Sequence, residues 1–106
     1  MIGLELGPVV GQTGGGLEVV EQQIVESGTV ILPDGWGRAW VIAQARAERG
    51  GSLRNRGHLF GWSIGMANTS YHRVALLEPG GTLSVNVEAI QNNETALVDI
   101  TMIRID

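Results

Sequence analysis

Cysteine and lysine are both absent from this chain of 106 residues. Without cysteine, the protein has no disulfide framework, no thiolate metal site and no thiol nucleophile. Without lysine, all seven basic side chains are arginines. Arginine tolerates interfaces well, because its planar guanidinium can bond both oxygens of a carboxylate.

Long apolar runs are absent as well. No segment approaches the roughly 20 apolar residues of a membrane-spanning helix, and Met1–Glu5 lacks the basic and apolar segments of a secretion signal. We therefore expect synthesis in a cytoplasm without a signal peptide, and no membrane partner. The content of 43% hydrophobic and 17% charged residues is typical of one folded domain.

Histidine is scarce and poorly spaced for chemistry. His58 and His72 form no His-x-His or Glu-x-x-His pattern, so the sequence predicts no metal site and no cofactor. His72 and Asp99 could form a triad with a serine. The candidates, Ser63 and Ser70, lack the nucleophile-elbow sequence that exposes a catalytic serine. We therefore predict that the protein is not an enzyme and has no catalytic residues.

Charge is distributed unevenly along the chain. Residues 1–37 carry five acids and no base, whereas residues 38–73 carry six of the seven bases and one acid, Glu48. The net charge of −4 argues against a nucleic-acid partner. The acidic and basic segments could meet within one chain or between copies, or could be ordinary surface charges on loops.

Glycine is concentrated near the start of the chain, where Gly11 and Gly14–Gly16 interrupt any regular element. This stretch also lacks the Gly-Lys-Ser/Thr ending of a phosphate-binding loop. We predict an extended N-terminal arm, residues 1–16, followed by a β-sandwich domain, residues 17–106.

Apolar and polar residues alternate with a period of two through most of residues 82–106. Leu83 to Ala89 and Ala96 to Met102 alternate on either side of a turn at Asn92–Glu94. This pattern predicts an antiparallel hairpin with one face in a core.

Other segments extend this pattern. Residues 17–26 fit either a helix or a strand, while residues 38–49 favour helix by composition but alternate like a strand, which is the interpretation we adopt. Turns are expected at Pro33–Gly35 and Pro79–Gly81. The sequence therefore predicts an all-β fold, an antiparallel β-sandwich or jelly roll of about seven short strands.

Aromatic residues invite both core and binding interpretations. Phe60 and Trp62 are predicted to be core, because large apolar residues are usually buried. Trp36 lies in a glycine-flanked turn, where a position in an interface is as reasonable as one in the core. A platform for a sugar could also be provided by Trp36, Trp40 or Tyr71.

The last strand suggests self-association. Ile103 and Ile105 alternate onto the face opposite the predicted core, and outward apolar residues next to a sheet edge attract another chain. Arginines could pair with acids of neighbouring copies. The predicted oligomer or docking interface is Trp36, Arg38, Trp40, Arg46, Arg73, Ile103 and Ile105.

The layout of residues 28–106 resembles a known group of proteins. The order of turn and strand segments is similar to that in the small jelly-roll modules of tailed-bacteriophage virions. The segments concerned are Gly28–Trp36, Pro79–Val85 and the closing Met102–Ile105. Such modules occur as head decoration proteins, head fibres and tail-fibre tips. Some resemble trimers of the C1q/TNF type, in which a Pro-Gly turn likewise precedes the penultimate strand.

This resemblance implies a non-enzymatic structural protein of a virus particle, located in the virion after synthesis in the host cytoplasm. It implies a homo-oligomer, with a trimer favoured, that docks on other virion proteins such as the major capsid protein. The alternative is a carbohydrate-binding or adhesin module that uses exposed Trp or Tyr side chains on a host-surface glycan. A cupin-type enzyme is disfavoured, because its clustered His and Glu ligands are missing.

Overall fold

A computed structural model describes residues 9–12, 18–65 and 70–106, with side chains described from Glu18 onward. The described chain forms nine β-strands and no helix. The strands are β1 (Val9–Gln12), β2 (Glu18–Val25), β3 (Ser27–Val30), β4 (Ala39–Ala47), β5 (His58–Leu59), β6 (Trp62–Ser63), β7 (Ser70–Leu77), β8 (Leu83–Asn86) and β9 (Ala96–Arg104).

Two antiparallel sheets are formed by these strands. The five-stranded sheet has the order β1-β2-β9-β4-β7, and the four-stranded sheet has the order β3-β8-β5-β6. One cluster of buried apolar side chains includes members of both sheets. The all-β prediction is confirmed at this level, and the arrangement is consistent with a β-sandwich.

Much of the core is built from alternating positions on β4 and β9, two neighbouring interior strands of the five-stranded sheet. In β4 the inward side chains are small, and Ala43 and Ala45 are fully buried. Their register partners on β9, Ile100 and Val98, are larger and also buried. Placing large beside small side chains fills the interior without voids, and each fully buried aliphatic side chain contributes roughly 1.5–3 kcal/mol.

Both ambiguous segments are strands. Residues 17–26 contain β2, and residues 38–49 contain β4. The alternation in β4 thus outweighs its helix-favouring composition, because burial of one face in a sheet decides the outcome.

The predicted hairpin at residues 82–106 is wrong in its pairing. Its two arms are strands, β8 and β9, with the predicted inward faces. However, β8 pairs with β3 and β5, whereas β9 pairs with β2 and β4. The segment that connects the two arms therefore crosses from one sheet to the other. In this segment Val87 and Ala89 are buried, and an isolated bridge joins Ala89 to Leu53.

A single residue carries the chain between the sheets after β2. Glu26 has a φ of +63°, a left-handed conformation that is uncommon outside glycine. Its N–H donates to the carbonyl of Ala96 at 3.0 Å, and its carbonyl accepts from the N–H of Val87 at 2.7 Å. The backbone of Glu26 therefore connects the start of β9 in one sheet to the residue that follows β8 in the other.

Strands β5 and β6 form a tight hairpin through Phe60 and Gly61. Both turn residues have positive φ, +56° and +83°, as in the type I′ turns that suit two-residue hairpins. Trp62 is 60% exposed and Phe60 is partly buried against the core. The prediction that Trp62 is core is wrong, because among the described strands β6 is a two-residue edge strand that has a neighbour, β5, on one side only.

Part of the predicted N-terminal arm is a strand. Residues 9–12 form β1, which pairs with β2 from Val9 opposite Glu21 to Gln12 opposite Glu18. The rest of residues 1–16 lies outside the described residues.

Candidate functional site

The outer face of the five-stranded sheet carries rows of side chains that run across the strands. Directly opposed residues of antiparallel strands share a face, so the register defines each row. One row consists of Leu76, Trp40, Ile103 and Val19. The next row consists of Val74, Ile42, Thr101 and Glu21, so only its β7 and β4 members are apolar.

These two rows create an apolar surface on the outside of the sheet. We call Trp40, Ile42, Val74, Leu76 and Ile103 the outer apolar patch. Val74 is 56% exposed, Trp40 47% and Leu76 38%. The solvated face of an antiparallel sheet is normally polar, so adjacent apolar side chains here mark a surface suited to another molecule.

Polar residues occupy the following row of the same face. The carboxylate of Asp99 accepts one hydrogen bond from Gln23 Nε2 and another from Arg46 Nε, each at 2.9 Å. Asp99 therefore ties β2 and β4 to β9. Arg46, predicted to pair with a neighbouring copy, already has a carboxylate partner in its own chain.

A second group of predicted interface residues meets where β4 begins and β9 ends. Arg38 Nε donates to Asp106 Oδ2 at 2.5 Å, and the N–H of Ile105 donates to the carbonyl of Arg38 at 2.8 Å. The hydrogen bond between the side chains of Arg38 and Asp106 lowers the pKa of the Asp106 carboxyl and raises the pKa of Arg38. Arg104 lies 5.8 Å from the ring of Trp36, which is partly buried against the core.

The location of the two outward isoleucines differs from the prediction in one respect. Ile103 is on the outer face and belongs to the outer apolar patch, and Ile105 is 38% exposed just beyond the strand. They do not lie next to a sheet edge, because β9 is flanked by β2 and β4. The two edge strands of this sheet, β1 and β7, are each two strands away from β9.

Arg73 lies on the opposite side of the sheet from the outer apolar patch. On β7, Arg73 alternates with Val74, so it points inward at the open edge of the fold. Its guanidinium carbon is 5.0 Å from the ring centroid of Trp62 and 5.3 Å from that of Tyr71. Tyr71 in turn donates from its hydroxyl to the carbonyl of Ser63 at 3.2 Å. We call Trp62, Tyr71 and Arg73 the Arg73 cluster.

A cleft lies beside the basic loop between β4 and β5. It has a volume of about 320 Å³ and is lined by Arg54, Asn55, Arg56 and Ile90. Both arginines contact the carboxylate of Glu88, at 3.5 and 3.4 Å, so their charge is partly compensated.

The groups considered for catalysis are not brought together. Gln44 lies between His72 and Asp99 in their row, which separates these two by two strand spacings, about 10 Å. His58 instead contacts Ser84 at 3.3 Å. Over residues 18–65 and 70–106, no group of three or more acidic, histidine or cysteine side chains could hold a metal ion.

Two features of this site were missed at the level of sequence. Val74 and Leu76 have the outward positions in an alternating segment, but both faces of that segment contain apolar residues, so the pattern did not separate them. Trp62 was assigned to the core from its size alone.

The described part of the chain contains no helix with the length and apolarity needed to span a membrane.

Comparisons of the chain with protein-family models, with curated proteins and with solved structures found no match.

Proposed function

We propose that this protein is a non-enzymatic structural module of a virus particle that self-associates through the outer apolar patch and docks on the virion surface. The observation that carries the self-association is the outer apolar patch on the outside of the five-stranded sheet. Exposed Trp40 lies among Val74, Leu76 and Ile103. Tryptophan in such a setting is the residue type that most often dominates binding energy in interfaces.

The composition of the patch favours a second copy as the occupant. None of the five side chains of the patch is charged, which is typical of the centre of a homo-oligomer interface. It is bordered by the Asp99–Arg46 pair, which would form a polar rim. An interface centred on Trp40 would remove the largest exposed apolar ring of this face from water.

The virion setting and the finer architecture are supported by resemblance. The order of turns and strands in Gly28–Trp36 and Pro79–Val85 is similar to that of phage jelly-roll modules. Two sheets of short antiparallel strands are compatible with a jelly roll. The C1q/TNF-like layout favours a trimer. Closed cyclic assemblies of this kind present one repeated surface to a capsid or fibre.

The oligomeric state of the Trp40→Glu variant tests self-association. We expect the wild type to be oligomeric by light scattering during gel filtration at micromolar concentration. Trp40→Glu should weaken association at least about tenfold, because it places a charge at the centre of the interface. Ile31→Glu is the matched control, since Ile31 is 62% exposed but outside the patch.

Two results would contradict self-association through this face. One is a wild type that remains monomeric at micromolar concentration. The other is equal dissociation of the Trp40 and Ile31 variants while circular dichroism shows both to be folded.

The virion location has its own test. An antibody raised against the purified protein should label virus particles from the source culture on electron micrographs. Labelling confined to particle-free lysate would rule out the virion role while leaving the self-association result unaffected.

A further inference from the structure

We infer that the Arg73 cluster is a binding site for the carboxylate of an acidic sugar, with Trp62 as the stacking surface for the sugar ring. This site goes beyond the proposed function and is independent of it. The Arg73 cluster lies at the opening between β6 and β7, on the inner side of the five-stranded sheet, whereas the outer apolar patch lies on the outer side.

The geometry of the strands places the three side chains at one opening. Trp62 is the register partner of the buried Leu59, so both are on the inner side of the four-stranded sheet. Tyr71 and Arg73 share the inward face of β7 with the buried Leu77. Strands β6 and β7 each form an edge of their sheet, and the cluster therefore borders the gap between the two edges.

The guanidinium of Arg73 has no carboxylate partner in the described part of the chain. Its Nε is out of contact with solvent and has no hydrogen-bond partner. Over residues 18–65 and 70–106, five other arginines contact a carboxylate: Arg38, Arg46, Arg54, Arg56 and Arg104. No such ion pair is formed by Arg73 in the same part of the chain. A desolvated N–H without an acceptor is costly, and a carboxylate bound at this guanidinium would supply the missing anion.

The aromatic rings fix the orientation of the cation. Rings centred 5.0 and 5.3 Å from the guanidinium carbon favour its charge electrostatically. They also restrict its rotation, so less entropy is lost when a ligand binds. The hydroxyl of Tyr71 is held by the carbonyl of Ser63, which keeps this ring in place.

The exposed ring of Trp62 selects the rest of the ligand. Arg73 lies over this ring, and the 60% exposure of Trp62 leaves the part of its apolar surface that Arg73 does not cover open to a ligand. An amphipathic body with an apolar face and a carboxylate at its rim matches this pair of groups. A uronic acid has this chemistry, because its ring carbons present C–H bonds on one face and its carboxylate projects from the edge.

The competing interpretation is that Arg73 only protects the edge. An inward-pointing charge on an edge strand discourages pairing with another chain. Lysine would retain that inward charge but would lose the planar fork that bonds a carboxylate through two N–H groups. The Arg73→Lys variant therefore separates the two roles.

The test is a titration of the full-length, isotope-labelled protein with sodium glucuronate, followed by amide and indole resonances. Methyl glucoside is the neutral sugar control and sodium acetate the sugar-free control. We expect saturable shifts at Trp62, Ser63 and Arg73 with glucuronate, none with methyl glucoside, and at least about tenfold weaker binding of acetate. Arg73→Lys and Trp62→Leu should each weaken glucuronate binding at least about tenfold.

Several results would overturn the inference. Equal binding of acetate and glucuronate would exclude recognition of a sugar, and equal shifts with methyl glucoside would exclude recognition of a carboxylate. Undiminished binding by Arg73→Lys would leave edge protection as the role of Arg73. The Trp40→Glu variant should bind glucuronate like the wild type, so failure of this site and failure of self-association are distinguishable.

Discussion

Gly57 is a position where the backbone leaves no room for a side chain. It is buried, and a Cβ built on it would lie 2.3 Å from the carbonyl oxygen of Asn86. Its own carbonyl accepts a hydrogen bond from the N–H of Ile64 at 3.0 Å. Glycine at this point therefore allows the basic loop to approach β8 closely.

We expect Gly57→Ala to lower the free energy of unfolding by about 1–3 kcal/mol, because the methyl group forces a backbone shift. Gly65→Ala is the control, since a Cβ at Gly65 meets nothing within 4 Å. It should change the free energy of unfolding by no more than about 1 kcal/mol. Urea denaturation measures both, and equal values for the two variants would refute the close approach.

At the scale of single residues, the sequence was informative about burial but not about edges. The inward positions of β9, such as Val98 and Ile100, are fully buried as the alternation predicted. Trp62 has the same apolar character and is mostly exposed, because the adjacent turn at Phe60 and Gly61 makes β6 a two-residue edge strand. Burial depends on neighbours in space, which residue type alone does not specify.

At the scale of elements, the sequence predicted strands and faces better than partners. Alternation with a period of two determines which side of a strand faces the core. The same alternation is found whichever strand pairs with the segment, so it does not identify the neighbouring strand. The predicted hairpin failed for this reason, since β8 and β9 alternate in phase but lie in different sheets. The apolar character of the outer face was partly visible in Ile103 but depended on β7, whose partner could not be predicted.

The start of β4 and the end of β9 are joined by polar contacts. Arg38 bonds the carboxylate of Asp106, and the N–H of Gly37 donates to the carbonyl of Asp106 at 2.7 Å. Both groups of the Arg38–Asp106 pair are about half-exposed, so the pair is screened by solvent and its contribution is modest.

The pH dependence of stability should report this contact. Because the hydrogen bond from Arg38 lowers the pKa of Asp106 in the folded protein below its usual 3.8, the stabilisation is complete above pH 3.8 and is lost as the pH falls through the folded pKa. Asp106→Asn should therefore lower the melting temperature at neutral pH, and the difference from wild type should disappear in acid.

Asp34→Asn is the matched control for this measurement, since Asp34 is an exposed carboxylate in the turn at Pro33–Gly35. Its melting temperature should follow that of the wild type across the same pH range. A difference between Asp106→Asn and wild type that persists in strong acid would show that Asp106 stabilises the fold by some means other than its charge.

At the scale of the whole molecule, the two candidate surfaces lie on opposite sides of the five-stranded sheet. The outer apolar patch is suited to burial against another copy, whereas the Arg73 cluster borders an opening at the sheet edges. Self-association through the patch would therefore not cover the Arg73 cluster with the second copy. A multimer would then present several copies of this site, and weak single-site affinities would combine into stronger attachment.

The order of the strands has a kinetic consequence. Of the connections between the nine described strands, only those from β1 to β2 and from β5 to β6 join strands that pair with each other. Almost every other pairing requires residues far apart in sequence to meet first, which is the property that slows folding most. Refolding measured by stopped-flow fluorescence of the tryptophans should therefore take milliseconds to seconds, and microsecond refolding would contradict the strand order.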